Sequence, residues 1–186
     1  MRNMIFGLAL GMLALGLLGC STEPKTEEAK ASLHDDETAT LNQFTREDPG
    51  FREFLNKGAG YVVFPSVGKG GLGVGGAYGH GEVYQNDHMI GYADVTQASI
   101  GLQAGGQTYS EIIVFENENA LNKFKNNKLE FAANASAVAL KSGASAAARF
   151  ENGVAVFVKP KGGLMFEASI GGQKFNFKPA EGANRQ

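Results

Sequence analysis

The stretch from Gly60 to Phe115 most constrains what this chain can fold into. It reads GYVVFPSVGKGGLGVGGAYGHGEVYQNDHMIGYADVTQASIGLQAGGQTYSEIIVF, with apolar and small residues alternating over long runs. A period of two is the pattern of antiparallel strands, and it predicts strands over 60–65, 70–78, 81–85, 88–94, 96–105 and 108–115. Asn86-Asp87 predicts a hairpin turn between the third and fourth of them. We therefore expect consecutive antiparallel strands with no helix between them.

Glycines are expected to make one strand of this predicted sheet bare on one face and easy to bend. Gly71, Gly73 and Gly75 leave one side of their strand bare, which lets another backbone approach and weakens the strand enough to bend. Short helices are predicted on either side, one starting at Asp48-Pro49 and one after Asn117 or Asn119. The predicted fold is α+β and mostly β, a strongly curved antiparallel sheet or barrel-like sandwich with two or three short helices.

The carboxyl-terminal part is less uniform in its pattern. The segment 131–150 is rich in alanine, which favours a helix by propensity, whereas its alternation suits a narrow strand. We predict a strand over 129–140 with a loop or short turn after it. Three further strands are predicted over 154–158, 164–170 and 173–177.

The amino terminus has the pattern of a targeting signal. Arg2 precedes an apolar run that ends at Cys20, the only cysteine, and the run is shorter than the roughly 20 residues that cross a bilayer. Residues 1–19 are therefore predicted to be a signal peptide. Residues 17–20, Leu-Leu-Gly-Cys, match the bacterial lipobox, so Cys20 is the predicted lipid attachment, carrying palmitate or similar acyl chains. Ser21 favours the outer membrane, facing the periplasm.

Charge divides the remainder of the chain. Residues 20–48 hold eight acidic and three basic residues, a net charge of −5, and residues 49–186 carry a net charge of +2. We predict an acidic flexible tether over 20–39, a folded domain over 40–180 and a disordered tail over 181–186. So small a positive charge argues against nucleic acid as a partner.

The sequence contains no motif that predicts catalysis or cofactor binding. Residues 71–76 satisfy G-x-G-x-x-G, but the sequence continues in strand-like alternation where a dinucleotide site needs a helix. His34, His80 and His88 lack metal-ligand spacing, so a structural or solvated role is favoured for them. With no nucleophile elbow and no nameable base, we predict no enzyme, no metal and no cofactor.

Two pairs of residues are candidates for lipid contact. Lys57 and Lys69 flank the first strand beside glycine-rich turns, where a phosphate can meet backbone amides and an ammonium group together. Phe51 and Phe54 form a helical stripe that is a candidate for acyl-chain contact. The alternatives are solvated lysines and a helix that caps one end of the sheet.

Several separated blocks resemble the SYLF-domain family. They are GYVVFPSVGKGGLGVGGAYGHGEVY, DVTQASIGLQAGGQTYSEIIVF, ASAVAL and GLMFEASIGGQKF, and the resemblance covers 41–179. It implies phospholipid binding; eukaryotic members bind phosphoinositides in particular, and some regulate actin. In a bacterial periplasm the implied ligand is an abundant phospholipid, with anionic headgroups as the candidate.

The resulting hypothesis is a non-catalytic, outer-membrane-anchored lipoprotein whose periplasmic domain binds phospholipid. Its rivals are a structural or interaction lipoprotein that contacts an unidentified protein partner or the cell wall, and a carrier that holds an acyl chain inside the sheet.

Overall fold

The computed structural model describes residues 22–130, 137–162 and 172–181. Within these ranges lie four helices and five strands. The helices are α1 (Glu27–Glu47), α2 (Phe51–Leu55), α3 (Glu118–Lys125) and α4 (Ala144–Ala147). The strands are β1 (Gly60–Gln85), β2 (His88–Phe115), β3 (Val138–Ala139), β4 (Val154–Gly162) and β5 (Gln173–Pro179). The predicted signal peptide, Cys20, the predicted strand over 164–170 and residues 182–186 of the predicted tail lie outside the described residues.

A single long hairpin dominates the fold. The six strands predicted between residues 60 and 115 are two continuous strands, β1 of 26 residues and β2 of 28. Asn86 and Asp87 form the turn with φ angles of 52° and 60°, and Gln85 pairs with His88. Both central residues are left-handed, which matches the twist of a tight hairpin. The predicted turn is therefore confirmed. Because β1 runs unbroken through residues 71–76, no helix opens at the G-x-G-x-x-G motif.

The long strand β2 is the centre of the sheet. It pairs with β1 along one edge, and on its other edge β5 pairs with residues 91–97 and β4 with residues 108–115. The short strand β3 joins β4 in parallel, so the sheet is mixed rather than purely antiparallel. Mostly β with short helices is confirmed. Among the described residues the strand order β1-β2-β4-β3 does not return to β1, so a closed barrel is not confirmed.

The hairpin folds back on itself, and glycines at the points of contact let two parts of the backbone of β1 approach closely. A Cβ on Gly81 would lie 2.1 Å from the carbonyl oxygen of Val63, and one on Gly60 would lie 2.5 Å from that of Tyr84. The two ends of β1 therefore touch backbone to backbone, which side chains at those positions would prevent. The register shifts between Leu72 and Val74, inside the glycine-rich stretch where bending was predicted.

Two apolar cores result from this bend. One lies between the folded-back halves of the sheet, where Phe64 and Phe124 contact Phe175 with ring centroids 6.1 and 5.4 Å away. The other lies between the sheet and helices α1 and α2, where Phe157 on β4 is fully buried. The sheet thus has apolar residues on both faces near the carboxyl end of β2.

The acidic tether predicted over 20–39 is wrong for most of its length, because α1 begins at Glu27. Thr26 caps the helix by accepting a hydrogen bond from the Ala29 amide at 3.1 Å. The buried face of α1 consists of Glu37, Thr40 and Phe44, at spacings of three and four residues. Two of these three residues are polar, so the stripe carries almost no apolar signal and the segment reads as solvated.

The other predicted helices form with adjusted ends. Asn117 caps α3 through a 3.1 Å hydrogen bond from the Ala120 amide, as one of the two predicted caps. Gly50, rather than Asp48, is the N-cap of α2. The Asp48 carboxylate instead accepts hydrogen bonds from Ser145 N at 2.6 Å and Gly50 N at 3.2 Å. Of the strand predicted over 129–140, β3 is formed, and residues 131–136 lie outside the described residues.

Candidate functional site

The two predicted acyl-chain contacts lie in the core. Phe51 is fully buried and Phe54 is 5% exposed. Their rings meet Phe157 edge-on at centroid distances of 5.0 and 5.2 Å, and Phe54 also stacks on Phe150 at 5.1 Å. As placed, neither ring is available to a lipid. Helix α2 caps one end of the sheet, which was the alternative interpretation of the stripe.

The two predicted headgroup lysines are not brought together. Lys57 follows α2 and its ammonium lies 3.6 Å from the Glu53 carboxylate on the helix surface. Lys69 lies nine residues beyond the start of β1, a distance of about 30 Å along an extended strand. The first nine residues of β1 therefore separate the two lysines along the chain.

Lys69 borders a surface that we call the glycine platform: Gly68, Gly106, Thr108 and Gly162 on three adjacent strands. Gly68 pairs with Thr108, which pairs with Gly162. A Cβ would meet no heavy atom within 4 Å at Gly68 or at Gly162, and at Gly106 its nearest neighbour would be 3.8 Å away. The platform is therefore an open, nearly side-chain-free stretch of backbone.

Two lysines adjoin this platform in the chain, Lys69 next to Gly68 and Lys161 next to Gly162. Lys69 is half-buried beside Gly68, and the Lys161 ammonium donates a 3.1 Å hydrogen bond to the carbonyl oxygen of Pro65. Neither forms an ion pair within the part of the chain that the structure describes, whereas many other lysines do. These are Lys30 and Lys178 with Glu23, Lys57 with Glu53, Lys159 with Glu47, and Lys174 with Glu130. The platform can thus present uncompensated positive charge beside exposed backbone.

A buried carboxyl pair joins α1 to the outer face of β1. Glu37 is fully buried, and its Oε1 accepts a 2.5 Å hydrogen bond from the Glu82 amide. The Tyr84 hydroxyl lies 2.7 Å from Glu82 Oε2 and 3.2 Å from Glu37 Oε2, and His34 Nδ1 lies 3.0 Å from Glu82 Oε2. Burial first, and then the charge of Glu82, raises the pKa of Glu37 to about 11. Glu37 is consequently a neutral acid at pH 7 and covers an edge amide of β1.

A second polar cluster lies inside the folded sheet. The Gln173 Nε2 donates to Glu111 Oε2 at 2.9 Å and lies 3.4 Å from the Tyr109 hydroxyl oxygen. Burial raises the pKa of Glu111 to about 7. Because all three side chains are almost fully enclosed, this cluster is a structural feature of the interior rather than a surface site.

These arrangements limit the chemistry of the described residues. No group of three or more His, Cys, Asp or Glu side chains in them is placed to hold a metal ion. In the same part of the chain, no helix combines the length and the apolar character needed to cross a membrane.

Comparison with known proteins agrees with the resemblance seen in the sequence. Residues 96–184 match the sequence model of the family described as "Ysc84: Las17-binding protein actin regulator". Over these residues the chain is similar to the Ysc84 (SYLF) family. The Ysc84 region includes most of β2, all of β4 and β5, and three of the four residues of the glycine platform.

The chain is also similar to a curated protein named "Beta cell expansion factor A" from Aeromonas veronii. The two are 27% identical over 154 residues, which is 82% of this chain. The aligned part spans 59% of that relative's length.

Sequence reasoning missed both carboxyl clusters. Glu37 and Glu82 are 45 residues apart, and nothing local marks either as buried. Glu111 had a weak signal, since it directly precedes the apolar run Ile112–Phe115 on a strand predicted to be in the core. An ionisable residue in such a run is expected to have a buried partner, but the sequence does not say which.

Proposed function

We propose that this chain is a non-catalytic lipoprotein, held at the outer membrane through an acylated Cys20, whose Ysc84-type domain binds phospholipid headgroups from the periplasmic side. The observation that carries the proposal is the family match over 96–184, because the SYLF resemblance implies phospholipid binding. The lipobox at residues 17–20 supports the anchor and the location.

The glycine platform is the surface that fits a headgroup best. A Cβ at Gly68 or Gly162 would meet no heavy atom within 4 Å, so a phosphate can approach the backbone at these glycines, with the Thr108 side chain between them. Lys69 and Lys161 are the chain neighbours of Gly68 and Gly162, so they are the lysines nearest to this stretch along the chain. A lysine near an anionic membrane surface contributes about 1 kcal/mol of attraction, and the contribution falls off within a Debye length.

Lysine substitutions test this site. We expect Lys69→Gln and Lys161→Gln each to weaken co-sedimentation with anionic vesicles about fivefold, the equivalent of about 1 kcal/mol. Lys57→Gln is the matched control, because its ammonium already faces Glu53 and lies far along β1 from the platform. Equal loss in all three variants would indicate unspecific attraction, and no loss at Lys69 and Lys161 would exclude the platform.

The soluble form for this assay should begin at Ser21. A form that begins at Thr40 would cut α1 in half and remove Glu37, whose carboxyl satisfies the Glu82 amide and contacts Tyr84. Loss of binding in such a form would report damage to the fold rather than to the site.

The anchor is tested separately from the lipid site. In bacteria, Cys20→Ser is expected to move the protein from the outer-membrane fraction to the soluble periplasmic fraction or to leave it unprocessed. Unchanged outer-membrane association of Cys20→Ser would contradict the acyl anchor, since one or more acyl chains supply the attachment in this proposal.

A second candidate function is contact with a protein partner. The family description names an actin regulator that binds Las17, and the relative is named an expansion factor, so both names point to effects on proteins or cells. The carrier alternative is less well supported, because aromatic rings fill the described interior around Phe175. Vesicle binding by the Ser21 form separates the lipid proposal from the protein-partner proposal.

A further inference from the structure

Ion pairs join both ends of helix α1 to the sheet. Just before the helix, the Glu23 carboxylate lies 2.5 Å from the ammonium of Lys178 on β5 and 3.0 Å from that of Lys30 in the first turn of α1. Glu23 is only 8% exposed, although its segment was predicted to be solvated. At the other end of the helix, Glu47 is paired with Lys159 on β4. The helix is thus held on β5 at its start and on β4 at its end.

The first of these contacts lies next to the proposed acyl anchor. Cys20 precedes Glu23 by three residues, which span at most about 10 Å even when fully extended. Glu23 is held by cations from two elements, and such a network is worth more than an isolated surface pair. An anchor at Cys20 is therefore attached to the domain close to Lys178, at the β5 end of α1.

The glycine platform lies toward the opposite end of the helix. Lys161 and Gly162 follow Lys159 on β4 by two and three residues, which is at most about 10 Å of strand. Helix α1 has 21 residues and is therefore about 30 Å long. Because the Glu47 contact joins the end of this helix to Lys159, the anchor and the platform are associated with opposite ends of α1.

Charge on α1 opposes an orientation in which the helix lies along the anchoring membrane. For the platform to reach that membrane, the line from the anchor to the platform, and α1 with it, would have to lie along the surface. The exposed side chains of α1 include four carboxylates, which anionic lipid repels. These are Glu27, Glu28, Asp35 and Asp36. Anionic lipid around the anchor therefore favours a helix that points away from its own membrane.

We propose that the glycine platform binds an anionic lipid surface that faces the anchoring membrane, so that one molecule bridges two bilayers. This inference rests on the proposed acyl anchor and headgroup binding, and it adds the direction in which binding occurs. Helix α1 is the spacer between the two attachments. The Debye length at 0.1 M salt is about 10 Å, so over the length of α1 the charge of the anchoring membrane is largely screened. The lysines of the platform are then left to the opposing surface.

The test attaches the chain from Cys20 onward, through its only cysteine, to a maleimide lipid in neutral phosphatidylcholine vesicles. Labelled vesicles that contain phosphatidylglycerol are then added, and their capture is measured by flotation. We expect capture, and we expect it to fall about fivefold in Lys69→Gln and in Lys161→Gln. Lys57→Gln, whose ammonium faces Glu53, should capture as the wild type does. Equal capture in all variants would overturn the proposal.

Phosphatidylglycerol in the anchoring vesicles distinguishes the two directions of binding. A platform that points away from its own membrane is about three Debye lengths from it, so this lipid should change capture by less than about twofold. A platform that folds down onto its own membrane would be occupied there. Capture would then fall as phosphatidylglycerol is added to the anchoring vesicles, and that result would overturn the proposal.

Glu23→Gln tests whether the ion pairs beside the anchor set this direction. The change removes the charge that holds Lys178 and Lys30, so the segment after Cys20 gains reach. Capture should then become sensitive to phosphatidylglycerol in the anchoring vesicles. Glu28→Gln, an exposed change in the first turn of the same helix, is the matched control and should stay insensitive.

The soluble form that begins at Ser21 separates the two proposals. Its sedimentation with phosphatidylglycerol vesicles measures headgroup binding without any anchor. If this form does not bind, headgroup recognition is absent and both proposals are refuted. If it binds while the attached chain captures no vesicles, the bridge alone is refuted.

Discussion

The buried acid Glu37 makes the stability of this fold depend on pH in an unusual direction. Its pKa is about 11 in the folded protein and 4.5 in the unfolded chain. Between these values folding takes up a proton, so stability is greatest below pH 4.5 and falls as the pH rises toward 11. Most paired carboxylates have lowered pKa values and lose stability on acidification instead. The pKa of Glu37 is raised instead, first by burial and then by the charge of Glu82, and this reverses the pH dependence.

Replacing Glu37 by glutamine removes this proton uptake and keeps the shape of the side chain. The amide oxygen can accept from the Glu82 amide, and the amide nitrogen can donate to the Glu82 carboxylate. At pH 7, about 2.5 pH units above the unfolded pKa of 4.5, ionisation of Glu37 in the unfolded chain lowers the stability of the wild type by about 1.36 kcal/mol per unit. We therefore expect Glu37→Gln to be more stable than the wild type by up to about 3 kcal/mol.

Urea unfolding at two pH values measures the effect cleanly. Glu111 also takes up a proton on folding, but its pKa of about 7 confines its contribution to lower pH. Between pH 7 and pH 9 the wild type should therefore lose about 2.7 kcal/mol through Glu37, and Glu37→Gln should not. Glu28→Gln, an exposed change on the same helix, should follow the wild type.

Two results would refute this reasoning. A wild-type stability that is flat from pH 7 to pH 9 would mean that Glu37 is not neutral in the folded protein. A Glu37→Gln variant that is destabilised equally at both pH values would mean that the ionised carboxylate is the stabilising form.

Further predictions concern the bend and the helical core. Gly81→Ala should destabilise the fold by more than about 3 kcal/mol, because its Cβ would overlap the Val63 carbonyl oxygen at 2.1 Å. Gly68→Ala should change thermal stability by less than about 0.5 kcal/mol, because its Cβ would meet no heavy atom within 4 Å. Similar losses of stability in both variants would contradict the close backbone contact between Gly81 and Val63. Phe157→Ala should cost about 3–5 kcal/mol in urea unfolding, since its ring holds both Phe51 and Phe54; a loss below about 1 kcal/mol would contradict that role.

The hairpin could be predicted from sequence because its signals are local. Alternation predicts extended strands through this region, which the structure forms as two continuous strands rather than six. The Asn86-Asp87 pair predicts the turn, which the structure confirms. Its exact register could not be predicted. The turn alone would place His80 opposite Ala93, but the register shifts between Val83 and Tyr84, which brings Asp94 to His80 instead. A shift of one residue moves a side chain to the other face, so the contact between His80 and Asp94 could not be predicted.

Helix α1 was not predicted, and the sequence left open whether Phe51 and Phe54 face a lipid or the core, for a different reason. The buried face of α1 contains Glu37 and Thr40, so composition predicts a solvated tether, and only the partner at Glu82 explains the burial. The Phe51 stripe was read correctly as helical, yet an apolar stripe does not reveal whether it faces a lipid or a core. Lys69 lies beside Gly68 in the sequence itself. Lys161 belongs to β4, a strand that is distant in sequence, so its place at the platform could not be predicted.

The central claim is that the folded domain itself binds phospholipid. It is tested most directly by sedimenting the protein from Ser21 onward with vesicles whose anionic lipid content and salt concentration are varied. The account predicts a bound fraction that rises with anionic lipid and falls with salt, as charge attraction requires. Absence of binding at every composition would contradict it and would leave the acyl chains on Cys20 as the sole proposed contact with the membrane.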